Sequence, residues 1–309
     1  MRLCLMIEGQ EGVTWDDWVA LARATEEHGL EALFRSDHYA SIFAAEEGAD
    51  AHDAWATIAA LAALTSRIRL GTLVSPATFR HPSVVARMVA TADHVSGGRV
   101  ELGVGAGWYE REHVENGFPF GTVGERFARF AEHVEVVVRH WTEERFDHAG
   151  PRYRLTGARS LPKPLQRPHP PLILGGTAKP RSAALAARFA QEYNTVYAPL
   201  EECRARREAL ARACAEAGRD PATLTFSLMT ACAVGRDRAE ADGRIARLLA
   251  LTGRPEPSPG WIAGTVEEAA EQLARLREAG VERVFCQHLD HRDLDHVAVL
   301  AELAGQAGR

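Results

Sequence analysis

Short apolar runs alternate with stretches of helical periodicity eight times along this chain of 309 residues. Short apolar runs are typical of buried strands, whereas apolar residues spaced three and four apart are typical of helices that pack on a sheet. The predicted strands cover residues 2–8, 30–36, 67–74, 99–103, 172–174, 192–196, 224–234 and 281–288.

Eight strands that are each followed by a helix predict an α/β protein, a (β/α)8 TIM barrel with insertions that spans residues 1–309 as one domain. A doubly wound parallel sheet is the alternative. The barrel is favoured because no linker or change of composition divides the chain near its middle. Six prolines in residues 143–171 predict an irregular insertion, which we expect to cover the functional site.

The overall charge and the cysteines argue against several classes of protein. The formal net charge is −6 and no basic block occurs, which argues against binding to nucleic acid or to an anionic membrane. No apolar stretch is long enough to predict a membrane span. The five cysteines form no C-x-x-C pair, which indicates free thiols in a reducing compartment. Because the chain begins directly with a strand, we expect a cytoplasmic protein.

The fourth predicted strand runs into three alternating glycines, Gly103, Gly105 and Gly107, which are followed by Trp108. Glycines at this end of a strand permit a close approach of the backbone, and ligands of α/β proteins lie at the carboxyl ends of the strands. A tight turn is the alternative interpretation. A dinucleotide-binding G-x-G-x-x-G motif does not fit, because Trp108 or Glu110 stands where its third glycine is required.

Two groups of titratable residues follow predicted strands. Asp37 and His38 follow the second strand, where a histidine can act as an acid or base, with a capping role as the alternative. A cluster of His288, Asp290 and His291 follows the eighth strand. We predict no metal site there, because the first strand lacks the His-x-His pair common in metallohydrolase barrels and few carboxylates occur at the other strand ends.

The fifth predicted strand ends in Gly175 and Gly176, and a helix is predicted to begin at Pro180. Lys179 and Arg181 place positive charge at the positive end of the helix dipole, which is unfavourable unless an anion binds there. Free glycine amides and a helix N-terminus together favour a phosphate-binding site. Two solvated cations on a surface helix are the alternative.

Five segments of the sequence match the motifs of a known family. They read SDHY at 36–39, RIRLGTLVSPATFRHP at 67–82, GGRVELGVGAGWYEREH at 97–113, PLQRPHPPLILGGT at 164–177 and GTVEEAAEQL at 264–273. In this order and spacing, the chain resembles the bacterial luciferase-like monooxygenase superfamily. The resemblance is strongest to its oxidoreductases that depend on coenzyme F420, a deazaflavin.

The resemblance implies a flavin-like ring at the carboxyl ends of the strands and a non-prolyl cis peptide between Leu73 and Val74. Asp37 and His38 match the pair that lies beside the reactive ring carbon in deazaflavin dehydrogenases, and they are the candidate catalytic residues. The candidate cofactor-binding residues are Thr72, Leu73, Val74, Gly105, Ala106, Gly107, Trp108, Gly175, Gly176 and Thr177.

One departure from the family argues against a sugar phosphate as the substrate. Relatives that oxidise a sugar phosphate carry a glutamate directly after the glycine loop, where this chain has Trp108. The leading hypothesis is hydride transfer between F420 and a small organic substrate. An FMN-dependent two-component monooxygenase and a non-catalytic flavin-binding protein are the alternatives. The resemblance also implies a homodimer, with the helix at 82–95 as a candidate interface that barrel packing explains equally well.

Overall fold

The computed structural model describes residues 1–43 and 51–307. The strands of the described residues are β1 (Arg2–Ile7), β2 (Ala32–Arg35), β3 (Arg69–Pro76), β4 (Val100–Gly105), β5 (Phe146–Ala149), β6 (Arg154–Ala158), β7 (Leu172–Gly175), β8 (Glu192–Val196), β9 (Thr225–Gly235), β10 (Ile262–Thr265) and β11 (Arg283–Gln287).

Eight of these strands close into a parallel barrel in the order β1-β2-β3-β4-β7-β8-β9-β11, with β11 paired to β1. The predicted TIM barrel is therefore confirmed, and each of the eight predicted strands overlaps one barrel strand. The short strand β10 was not predicted. It pairs with the end of the long strand β9, where Ile262 lies opposite Cys232, and so it extends the sheet outside the barrel.

The helices surround the barrel and pack on its outer face. In the described residues they are α1 (Trp15–His28), α2 (Ala54–Leu64), α3 (Pro82–Ser96), α4 (Glu110–Asn116), α5 (Val123–Thr142), α6 (Pro180–Phe189), α7 (Leu200–Glu216), α8 (Arg238–Thr252), α9 (Val266–Glu278) and α10 (Leu294–Ala307).

Local sequence sets several helix starts. Capping boxes at Thr14, Thr122 and Thr265 begin α1, α5 and α9, because each threonine accepts from a backbone N–H that has no partner inside the helix. The short helix α4, directly after the glycine loop, was not predicted. None of the helices in the described part of the chain is long and apolar enough to cross a membrane.

The segment at 143–171 is more regular than its prolines suggest, because it contains the antiparallel hairpin of β5 and β6. Glu132 on α5 anchors this hairpin by accepting hydrogen bonds from Tyr153 N at 2.9 Å and from His148 Nε2 at 3.0 Å. Pro151 lies in the turn, and the other prolines follow the second strand. The hairpin depends on contacts with α5, which a local pattern does not reveal.

A buried ionic cluster closes the barrel at the amino ends of the strands. Arg283 Nη1 lies 2.8 Å from Glu101 Oε2 and 3.1 Å from Glu192 Oε2, and all three side chains are buried. Apolar residues such as Phe34 and Phe285 fill the barrel interior above the cluster. The barrel is therefore packed at its lower end, which leaves the carboxyl ends of the strands for a site.

Candidate active site

A cavity of about 540 Å³ opens at the carboxyl ends of the barrel strands. Every barrel strand contributes to its wall, through residues within the strand or directly after it. The lining residues are Glu8, Ser36, His38, Ile42, Phe43, Leu73, Val74, Pro76, Gly105, Ala106, Gly107, Trp108, Gly175, Gly176, Asn194, Val196, Tyr197, Met229 and Gln287. Most of the lining is apolar, as in sites for large organic ligands.

The wall between β3, β4 and β7 is built around Val74. The Leu73–Val74 peptide is cis, as the resemblance implies. A β-carbon on Gly105 would lie 2.7 Å from Val74 Cγ2, and one on Gly103 would collide with the carbonyl of Thr72. The alternating glycines therefore make room for the chain's own third strand. Gly105 also lines the cavity, whereas Gly103 does not.

Thr72 is buried and turned toward β4, where its Oγ1 donates to Gly103 O at 2.8 Å. It does not line the cavity, although Leu73 and Val74 do. Gly107 has a φ of +81°, and its carbonyl accepts from Arg126 Nε at 3.1 Å. The loop is thus fixed from behind by α5 while its front lines the cavity.

His38 reaches the cavity and is held by a buried carboxylate. Its Nδ1 lies 2.8 Å from Glu112 Oε1, and Tyr39 N donates to Glu112 Oε2 at 3.0 Å. Since a carboxylate only accepts, the imidazole proton lies on Nδ1, and Nε2 has no hydrogen-bond partner among the described residues. Burial lowers the pKa of His38, but the hydrogen bond and charge of Glu112, together with Glu8 and Asp37, outweigh it and raise the pKa.

Asp37 has a different environment from its neighbour. Arg80 Nη1 donates to its Oδ2 at 2.6 Å and Ser75 Oγ donates to the same oxygen at 2.6 Å. The Asp37 side chain is buried and does not line the cavity. The structure therefore brings only one residue of the predicted pair, His38, to the cavity, while Asp37 ties the end of β2 to β3.

The predicted phosphate site lies at one edge of the cavity. Gly175 and Gly176 line the cavity, and Thr177 follows them as an exposed residue. Helix α6 begins at Pro180 after Lys179, with no side-chain cap and no acidic residue in its first turn. Its free N–H groups and positive dipole end fit an anion, as does the positive charge of Lys179.

Several site residues were not singled out by the sequence. Glu112 lies in a recognised motif, but its role depends on helix α4, which was not predicted. Tyr197 and Gln287 end or follow the strands β8 and β11, so the strand-end rule alone could have indicated them. His288 instead contacts His296, with 3.1 Å between their Nδ1 atoms. No group of three ligating side chains in the described residues is arranged to hold a metal ion.

Comparison with known proteins assigns this barrel to a family. The family model described as luciferase-like monooxygenase matches residues 4–283. The chain belongs to the luciferase-like monooxygenase family. The resemblance drawn from the sequence motifs is therefore confirmed.

Individual relatives of this chain differ in the cofactor that they use. An F420-dependent glucose-6-phosphate dehydrogenase of Nakamurella multipartita is 32% identical over 280 residues, which cover 89% of this chain and 79% of the relative. An FMNH(2)-dependent dimethylsulfone monooxygenase of Pseudomonas putida is 32% identical over 176 residues, or 57% of this chain and 47% of that protein.

Other similarities concern partial matches or the fold. An uncharacterized protein of Mycobacterium tuberculosis is 36% identical over 143 residues, 46% of this chain, so the match spans about half (49%) of that relative. The structure of an F420-dependent secondary alcohol dehydrogenase, in complex with an F420-acetone adduct, superposes with a TM-score of 0.82 at 21% identity. It covers 99% of this chain and 98% of the other, and at this identity it supports the barrel fold alone.

Proposed function

We propose that this luciferase-like oxidoreductase transfers a hydride between coenzyme F420 and a small organic substrate. The observation that carries the proposal is the His38–Glu112 pair, which presents an imidazole Nε2 to an apolar cavity. The 32% identity to an F420-dependent dehydrogenase over most of the chain favours F420 as the cofactor. When bound, the deazaflavin supplies the carbon that carries the hydride.

The residues present fit such a cofactor. A broad apolar wall of Leu73, Val74 and Ala106 suits a flat ring, and Trp108 adds an aromatic surface. The N-terminus of α6, which follows Gly176 and Thr177 and has no side-chain cap, suits the phosphate. Thr72 and Asp37, which we expected at the site, would act from behind the wall, through hydrogen bonds to β4 and to Arg80.

His38 is the proposed acid and base. Hydride transfer to a carbonyl, or from an alcohol, requires a matching proton transfer at oxygen, and Nε2 of His38 can supply or accept that proton. The charge of Glu112 stabilises the protonated imidazole of His38. Glu112 also fixes the orientation of the ring, because one of its oxygens is bonded to His38 Nδ1 and the other to Tyr39 N.

Cofactor binding tests the proposal. Isothermal titration of the pure protein with F420 and with FMN is expected to give micromolar binding of F420. Binding of FMN without F420 would instead support the alternative, an FMN-dependent monooxygenase like the Pseudomonas relative. Turnover with an intact rate in His38→Ala would support a different base or a non-catalytic flavin-binding protein.

The phosphate site has its own matched test. Thr177→Glu adds a negative charge at an exposed position beside the N-terminus of α6. It is expected to weaken F420 binding by about tenfold or more, since the charge opposes the phosphate. Thr177→Gln is the control of similar size, and a deazaflavin without the phosphate tail is expected to bind both variants equally.

We also retain the homodimer as a proposal. On α3, Val85 and Val89 are buried against the barrel, so they are not available to a partner, whereas Val84 is exposed. Light scattering on the pure protein measures the number of chains, and Val84→Asp is expected to shift a dimer toward the monomer.

A further inference from the structure

The described lining of the cavity contains an acidic side chain but no lysine or arginine. Among the lining residues that the structure describes, Glu8 is the one acidic side chain. The other titratable groups of this lining are His38, which is paired with Glu112, and Tyr197, whose pKa is raised by burial so that its hydroxyl stays neutral. The cavity and its supporting carboxylate therefore carry net negative charge whether His38 is protonated or neutral.

Glu8 is held by neutral donors. Gln287 Nε2 donates to its Oε1 at 2.6 Å, and Gln10 Nε2 donates to its Oε2 at 3.0 Å. Both amides are in turn fixed, because Tyr197 donates to Gln287 Oε1 and Ser36 Oγ donates to Gln10 Oε1. Two N–H donors aimed at both oxygens suit the ionised carboxylate, which only accepts hydrogen bonds.

The Glu8 carboxylate has no cation among the described residues in contact with it, and His38, whose pKa it helps to raise, is already paired with Glu112. Glu8 is only 5% exposed, and no cation of the described chain forms an ion pair with it. Buried charges in proteins are ordinarily paired with an opposite charge. The contrast with Glu101 at the other end of the barrel is direct, because Glu101 is paired with Arg283. The charge of Arg254 acts on Tyr197, but Arg254 is exposed and does not line the cavity.

We propose that Glu8 determines substrate specificity by binding an ammonium group, so that cationic amines are preferred as substrates over carboxylates. This inference rests on the proposed function, since it assumes that the cavity is the substrate site. The aromatic side chains Phe43, Trp108 and Tyr197 line the same cavity and add faces that attract a cation. No basic residue of the described lining is available to hold an anionic substrate beside them.

Three ligands of one shape but different charge test the inference. Benzylamine is cationic at neutral pH, benzyl alcohol is neutral and benzoate is anionic. Their dissociation constants are measured by isothermal titration on the full chain, first alone and then loaded with whichever of F420 or FMN binds. Benzylamine is expected to bind about tenfold tighter than benzyl alcohol, as for a hydrogen bond to a charged group, and benzoate is expected to bind most weakly.

Variants of Glu8 test whether its carboxylate causes the preference for benzylamine. Glu8→Gln is expected to remove the advantage of benzylamine over benzyl alcohol, whereas Glu8→Asp, which keeps the charge, is expected to retain it. Glu27→Gln, at an exposed position on α1, is the control for lost negative charge. Thermal unfolding of each variant verifies that it is folded. If Glu8→Gln does not fold, the comparison of benzylamine with benzoate on the unmodified protein still tests the inference.

Three results would overturn the inference. They are benzoate binding as tightly as benzylamine, an unchanged preference in Glu8→Gln, and a loss of cofactor binding in Glu8→Gln with the preference intact. Failure of the proposed function is a separate result, because it appears as absent F420 binding by the unmodified protein. The charge preference can be measured without any cofactor, so the two outcomes are distinguishable.

Discussion

Glu112 Oε1 lies 2.8 Å from His38 Nδ1, and the Glu112 side chain is fully buried. The pair joins the end of β2 to α4 across 74 positions of sequence. A buried carboxylate beside an imidazole favours the protonated ring, so Glu112 controls how readily His38 gives or accepts a proton.

Glu112→Gln is expected to lower the pKa of His38, because the negative partner is removed while the hydrogen-bonding shape is kept. The titration of the His38 ring, followed by NMR, measures this shift directly, and any pH–rate profile that depends on His38 is expected to move toward lower pH. Glu115→Gln, exposed on the same helix, is the control. A His38 titration unchanged by Glu112→Gln would contradict the assignment of Glu112.

The packing of Val74 predicts that alanine at two nearby glycines lowers the free energy of unfolding by different amounts. Gly105→Ala is expected to lower the free energy of unfolding by about 1–3 kcal/mol, because its β-carbon would lie 2.7 Å from Val74 Cγ2. Gly175→Ala is the matched control, since its β-carbon would lie at an ordinary 3.6 Å from Val74 Cγ1. Urea unfolding measures both. The double variant Val74→Ala, Gly105→Ala is expected to recover part of the loss, and purely additive effects would rule out the steric explanation.

The ionic cluster at the lower end of the barrel predicts a large loss of stability. Arg283→Met leaves Glu192 buried without a cation and leaves Glu101 paired with Arg69 alone, and it is expected to cost about 3–5 kcal/mol of the free energy of unfolding. Arg2→Met removes an exposed ion pair with Glu31 and is expected to cost about 0–1 kcal/mol. Equal losses in the two variants would show that burial does not set the energy of these pairs.

The lowered pKa of the buried His133 predicts how the free energy of unfolding depends on pH. Burial lowers its pKa to about 3, with further contributions from His81 and Arg129, and neither ring nitrogen has a hydrogen-bond partner in the described structure. Because the folded state keeps this ring neutral, the unfolded state binds one more proton between about pH 3 and the ordinary pKa of 6.5. Stability is therefore expected to be complete above that ordinary pKa and to fall as pH is lowered through this window.

The expected slope from His133 is about 1.4 kcal/mol per pH unit, which is the value for one proton. Urea unfolding at a series of pH values measures it. His133→Phe is expected to reduce the slope by that amount, whereas His28→Gln, at an exposed position, is expected to leave it unchanged. A slope that is the same in both variants would mean that His133 is not the group that titrates.

Local patterns predicted most of the barrel but not every element. The alternation of strands and helices was sufficient for the eight barrel strands, because the period of apolar residues reports which face of an element is buried. The hairpin of β5 and β6 was missed since Glu132 on α5 anchors it. Helix α4 was missed because it is short and follows the glycine loop without a side-chain cap.

The features of the candidate site also divide into those that the sequence predicted and those that it did not. The amino-acid sequence by itself determined the barrel and the strand ends that line the cavity, because these follow from periodicity and chain order. Only the tertiary structure decided that Glu112 supports His38, that Arg80 holds Asp37 away from the cavity, and that Val74 fills the space beside the glycines. Each of those relationships joins residues that are distant along the chain, and their distances and burial depend on how the barrel closes.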